Sequence, residues 1–202
     1  MAKYIKKDRP EEPISWKKSL VLYLRDLTTL LAVIMIVFVL LFRIVVVSGS
    51  SMYSTLYDGD WLLVISNVFY GKPEYGDIIV ASKDSFHDGE PIIKRVIATE
   101  GQTVDIDFES GTVYVDGVAL SESYIYTATT NEEGMVFPVV VEENCVFAMG
   151  DNRGYSNDSR NPAIGFVDKR EILGRAVYLM FPGTGTGSFV GGRHFDRIGV
   201  LK

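Results

Sequence analysis

The chain has 202 residues, 47% of them hydrophobic, and a formal net charge of −6. That length bounds it to one domain of moderate size, or one domain with appendages. The acidic balance argues against a nucleic-acid partner, and the single cysteine, Cys145, excludes an intrachain disulfide or a cysteine-built zinc site.

Charge is unevenly placed. Lys3, Lys6, Lys7, Arg9, Lys17, Lys18 and Arg25 stand in the first 26 residues, against Asp8, Glu11, Glu12 and Asp26. A run without a polar residue, Leu30 to Phe42, comes next. Taken as Leu27 to Val47, the segment is long enough to cross a bilayer, at about 31 Å of helix against a hydrocarbon core of about 30 Å. Arg43 near its far end suits an interface, where it snorkels to headgroups, and the helix is expected to end close to it. Ile44, Val45, Val46 and Val47 then read as an emerging strand. A buried soluble helix is the bland alternative, but the run is apolar all round and basic on one side only. That bias places a basic tail, residues 1–26, in the cytoplasm, residues 27–47 across the membrane, and residues 48–202 outside it. A cleavable signal peptide competes with a permanent anchor, because Ser48 and Ser50 are small residues following an apolar core. The long charged head favours the anchor.

Beyond Ser48 the pattern changes to short segments rich in Val, Ile, Tyr and Phe, punctuated by Gly, Asp, Asn or Pro. These are Asp60–Tyr70, Gly76–Ser82, Pro91–Glu100, Thr103–Ile106, Thr112–Gly117, Met135–Val141, Cys145–Asp151 and Gly174–Phe181. Asp116-Gly117 is a tight-hairpin signal. Cys145 opens an apolar string, Cys-Val-Phe-Ala-Met, and reads as a packed core residue. The predicted fold class is mostly β: one N-terminal transmembrane helix followed by an antiparallel β domain. The Gly-rich stretch near the C-terminus, Pro182 to Asp196, lacks the lysine of a phosphate loop and reads as loop.

Two histidines offer little to a Ser-His-Asp triad, since His87 sits in a polar turn and His194 in the Gly-rich tail. Serine can instead be activated by a neutral lysine, which burial favours. Lys94 lies in the apolar strand Pro-Ile-Ile-Lys-Arg-Val-Ile-Ala, on the face it shares with Ile92 and Val96, while Ile93, Arg95 and Ile97 share the other. An exposed strand lysine is the competing reading. Ser51, in Ser-Gly-Ser-Ser-Met with Gly49 two residues before it, is the candidate nucleophile, although such strings are also linkers. Gly150 to Arg160, Gly-Asp-Asn-Arg-Gly-Tyr-Ser-Asn-Asp-Ser-Arg, is dense in polar groups, and Asp158 and Arg160 can pair to pin it.

Together these stretches resemble the bacterial type I signal peptidases, membrane-anchored Ser-Lys proteases. The resemblance rests on Ser51-Met52-Tyr53-Ser54-Thr55-Leu56, Gly76-Asp77-Ile78-Ile79-Val80, Lys94-Arg95-Val96-Ile97, Tyr114-Val115-Asp116-Gly117 and Gly150 through Arg160. Ser54 stands where the family pattern has proline. The resemblance implies a signal-peptidase-type β domain with a small inserted β subdomain at about 103–145. It implies Ser51 as nucleophile, Lys94 as general base, Ser156 as a hydroxyl orienting the lysine, and Asp158 with Arg160 as a supporting ion pair. The oxyanion is expected at the Ser51 N–H and a group from position 49. Val45, Val47, Met52 and Ile93 are expected to wall the substrate site, with the peptide extended beside Gly76–Ser82 or beside the strand leading to Ser51. The substrates would be secreted preproteins cut after Ala-x-Ala-type signals, the other partner a lipid bilayer, and the enzyme a monomer needing no metal or cofactor. A Ser-Lys repressor-type protease is a rival, but no DNA-binding helical region precedes the core. An inactive anchored module that binds extended secreted or pilin peptides is another.

Overall fold

The computed structural model describes residues 15–83, 89–185 and 192–201. Lys3, Lys6, Lys7 and Arg9 of the basic head, and the turn carrying His87, lie outside the described residues.

The first unit holds one helix, α1 (Trp16–Leu41), 26 residues long. It is long and apolar enough to cross a membrane, and none of its residues is buried within the protein. The helix begins eleven residues before the expected segment at Leu27. Lys17, Lys18, Arg25 and Asp26 sit inside it, because straight-chain charged residues are good helix formers and an apolar string, Leu20 to Leu24, runs between them. It ends at Leu41. The β-branched run then takes over as expected, and Phe42–Val46 is strand β1.

The second unit is built from strands. β1 (Phe42–Val46), β2 (Trp61–Ser66), β3 (Ile78–Ala81), β4 (Ile92–Thr99), β9 (Cys145–Met149), β10 (Val167–Asp168), β11 (Ile172–Phe181) and β12 (Gly199–Val200) form one sheet. Its order is β1-β2-β11-β3-β4-β9-β10, with β12 paired to β11. A second sheet, ordered β7-β6-β5-β8, takes β5 (Thr103–Asp107), β6 (Thr112–Val115), β7 (Val118–Ala119) and β8 (Val139–Val140). The small inserted subdomain is this second sheet. Every strand pair among the described residues is antiparallel.

The hairpin at Asp116-Gly117 forms as expected, with both residues at positive φ, 52° and 78°. Met135–Val141, expected as one strand, pairs only at Val139–Val140, since Pro138 has no N–H to give a ladder.

Buried apolar residues from the two sheets meet. Phe147 and Met149 of the large sheet pack with Val104, Ile106 and Val113 of the small one, and Cys145 is buried in the same cluster. A second cluster, including Val47, Met52, Leu56, Leu62, Ile78 and Ile93, lies beneath the turn that leaves β1. Burying side chains of this size contributes about 1.5–3 kcal/mol each. Six consecutive residues of β4, Ile93 to Ala98, are buried, so this strand is covered on both faces.

Candidate active site

The chain leaves β1 at Val46 and stays paired to the start of β2 through Val47 N–H to Asp60 O (2.9 Å) and Gly59 N–H to Val47 O (2.9 Å). It then folds into a turn, residues 50–56, closed by Tyr53 N–H to Ser50 O (3.1 Å) and Leu56 N–H to Met52 O (2.8 Å). Met52 and Leu56 anchor this turn in the core, at 1% and 0% exposure. Ser51, on its outer side, is half-buried.

Lys94 arrives from β4, in register with Ile79 of β3. Its side chain is almost wholly buried, and Nζ donates to Ser51 Oγ at 3.0 Å and to Ile93 O at 3.1 Å. Burial pushes its pKa from 10.5 down to about 8. The carboxylates of Asp158, Glu133 and Asp151 act in the opposite sense, favouring the ammonium, and Arg160 favours the neutral amine. An amine so placed can accept a proton from Ser51 near neutral pH.

The loop from Gly150 to Arg160 braces this pair. Asn152 N–H donates to Ser51 O and Asn152 Nδ2 to Ser50 O, both at 3.0 Å. Asp158 and Arg160 form the expected fork, with Arg160 Nε and Nη2 each 2.9 Å from a carboxylate oxygen and both side chains fully buried. Burial alone raises a carboxyl pKa, but the hydrogen bonds and charge of Arg160 hold Asp158 below its ordinary value. The second oxygen of Asp158 also accepts Gly150 N–H at 3.0 Å.

Two expected contacts are corrected. Ser156 Oγ is buried beside Asp158, and no hydrogen bond joins it to Lys94. It lies instead in the notch at Gly150, where a side chain's Cβ would stand 2.2 Å from it, and Lys94 donates to its own strand and to Ser51. The N–H at position 49 is not left for an oxyanion either, because Gly49 N–H donates to Asp58 Oδ1 at 2.7 Å.

A cleft of about 550 Å³ opens over the pair. Val45, Val47, Met52 and Ile93, the expected walls, line it together with Ser51 and Lys94. A peptide beside Gly76–Ser82 is ruled out by topology, since β3 is paired on both edges, to β11 and to β4. β1 is an edge strand, paired to β2 alone among the described residues, and it forms one side of the cleft. His194 is exposed on the C-terminal tail, 4.0 Å from Asp196.

Several supports escaped the sequence reading. Arg95 forms a fully buried fork with Asp151 (2.9 and 2.8 Å), donates to Gly76 O (2.8 Å) and stacks on Tyr124 (4.1 Å). Asp151 also accepts Thr55 Oγ1, tying the turn that carries Ser51 to the strand of the lysine. The signal available was an arginine adjoining Lys94 in an otherwise apolar strand, which demands a buried partner.

A family model described as signal peptidase, peptidase S26, matches residues 20–181. A signal peptidase I of Bacillus amyloliquefaciens is 36% identical over 150 residues, covering 70% of this chain and 75% of the relative. A signal peptidase I of Bacillus licheniformis is 32% identical over 180 residues, covering 85% and 94%. A crystal structure of a signal peptidase I from Enterococcus faecalis is 31% identical, covers 52% of this chain and 97% of that one, and has a TM-score of 0.43.

Proposed function

This chain belongs to the signal peptidase family, peptidase S26, hydrolases that process signal peptides, and from that premise we propose that it cleaves with a Ser51-Lys94 dyad after small residues of the Ala-x-Ala type. The observation that carries the dyad is the 3.0 Å approach of Lys94 Nζ to Ser51 Oγ, by a lysine whose burial favours the neutral amine.

The preprotein lies extended along the free edge of β1, held by backbone hydrogen bonds. The small side chains one and three residues before the bond to be cut fit the apolar walls at Val45, Val47 and Ile93. Ser51 Oγ attacks the carbonyl as Lys94 takes its proton, and the resulting ammonium returns it to the leaving amine. The same lysine then draws a proton from water, which attacks the acyl-enzyme and frees Ser51. Ser51 N–H is one donor to the oxyanion. α1 anchors the enzyme in the cytoplasmic membrane. The excess of Lys and Arg before Leu27 sets its N-terminus in the cytoplasm and the β domain outside.

The test is cleavage of an Ala-x-Ala preprotein by the detergent-solubilised full chain. Ser51→Ala and Lys94→Ala each abolish cleavage, and full activity in either sinks the dyad. A wild-type chain that binds the preprotein and never cuts it supports the rival binding module.

A further inference from the structure

The Asp58-Gly59-Asp60 turn that follows the nucleophile takes no part in the reaction, yet Asp60 is fully buried. Its carboxylate gathers three separate pieces of chain. Oδ2 accepts Tyr57 N–H at 2.7 Å, Oδ1 accepts Gly183 N–H at 2.6 Å, and the Arg197 guanidinium grips both oxygens, at 2.6 and 3.1 Å. Arg197 Nη2 also donates to Thr55 O at 3.1 Å, and the guanidinium lies 3.8 Å from the centre of the Tyr57 ring. Arg197 therefore touches Thr55, Tyr57 and Asp60, all within nine residues of Ser51. It comes from a short 3-10 turn, Phe195–Arg197, beyond the stretch that the family model matches.

We infer that Arg197 is a positioning residue for Ser51: the C-terminal segment reaches back and clamps the turn that presents the nucleophile. The inference rests on the reading of Ser51 as that nucleophile. Asn152 holds the turn at Ser50 and Ser51, and two further attachments hold it at Thr55 and Tyr57. On one side Thr55 Oγ1 is held by Asp151, which Arg95 pairs beside Lys94. On the other the backbone of Thr55 and the ring of Tyr57 are held by Arg197. A planar guanidinium supplies this because it bonds both carboxylate oxygens, one carbonyl and one ring face at once, which an ammonium cannot do. Without it Asp60 keeps a buried charge lacking its cation, and the Thr55–Tyr57 end of the turn loses its tie to the C-terminal segment. The cleft walls Val45 and Ile93 stand on other strands, β1 and β4, and keep their places.

The consequence is a loss in turnover rather than in substrate binding. Steady-state cleavage of a preprotein is measured on the detergent-solubilised full chain for wild type, Arg197→Ala and Arg197→Lys, with Ser51→Ala as the blank. Each is assayed well below the melting temperature recorded for that variant, and rates are scaled to folded protein. Arg197→Ala lowers kcat about 10- to 100-fold and changes KM less than about twofold, the size expected when a reacting atom is misplaced by about 1 Å. Arg197→Lys keeps the charge without the fork and falls between the two, and it remains the test if the alanine variant does not fold. Wild-type kcat per folded molecule in Arg197→Lys or Arg197→Ala overturns the inference, as does a change confined to KM. Absence of cleavage by the wild-type chain overturns the dyad itself, a different failure.

Discussion

Replacing Lys94 by methionine, of similar length and without charge, separates what the lysine costs from what it does. The amine ordinarily titrates at 10.5, and burial in the folded chain brings it to about 8. Between these values the unfolded chain holds a proton that the folded chain has released, so stability rises with pH across the window. Below pH 8 both states are protonated and the full cost of burying the ammonium is present; above pH 10.5 it is gone. The difference is worth about 3 kcal/mol, and Lys94 is too deeply buried for solvent to screen much of it. Urea unfolding of the wild type and of Lys94→Met, across pH 7 to 10, isolates this residue from every other titrating group. The stability gap between the variant and the wild type shrinks by about 2.5 kcal/mol from pH 7 to pH 10. In the proposed dyad the same proton governs the reaction, since only a neutral amine can serve as base. Wild-type kcat/KM therefore climbs about tenfold from pH 7 to pH 9 and levels off, with its midpoint near 8. A stability gap that is constant over this range, or a midpoint near 10.5, refutes the reasoning.

Gly150→Ala places a Cβ 2.2 Å from Ser156 Oγ and 2.5 Å from Ser51 O. The nucleophile turn must shift, and we expect kcat to fall about 10- to 100-fold and stability by about 1–3 kcal/mol; undiminished turnover in a preprotein assay argues against the close approach. The half-buried Glu133 carboxylate lies 3.4 Å from Arg160 and helps hold the proton on Lys94. Its own pKa is raised, first by burial and then by Asp158. Glu133→Gln removes that charge and lowers the midpoint of the acid limb below the wild-type value; an unmoved or higher midpoint excludes the coupling.

Ser51, Lys94, Asp158 and Arg160 were legible in the sequence because each sits in a local string whose order and spacing carry the resemblance. The hairpin at Asp116-Gly117 was legible from two residues, since only a primed turn asks for positive φ at both. What alternation could not reveal is β4. Its residues fall on two faces in sequence, yet both faces are covered, so Arg95 is as buried as Lys94 and needs Asp151, 56 residues away. The end of α1 was foreseen near Arg43, where β-branched residues begin. Its start was not, because charged residues that interrupt an apolar run do not interrupt a helix. The contacts of Asp60 were invisible for a plainer reason: Arg197 lies 137 residues further along the chain, and no local pattern joins them.

The distribution of charge around the dyad follows one rule. Asp151, Asp158 and Asp60 are each fully buried near the nucleophile turn, and each meets an arginine fork, from Arg95, Arg160 and Arg197. The packing gains from such pairs are small once desolvation is subtracted. Asp158 and Asp151 also act on Lys94, where a carboxylate favours the ammonium over the neutral amine. Asp158 shows both halves of this balance, since its charge raises the lysine's pKa while its partner Arg160 lowers it. Asp60 and Asp158 pin the segments around the turn by accepting backbone N–H groups from Tyr57, Gly183 and Gly150, and arginines offset the charge they bring. The serine is thereby held by ionic groups while its neighbouring lysine remains able to lose a proton.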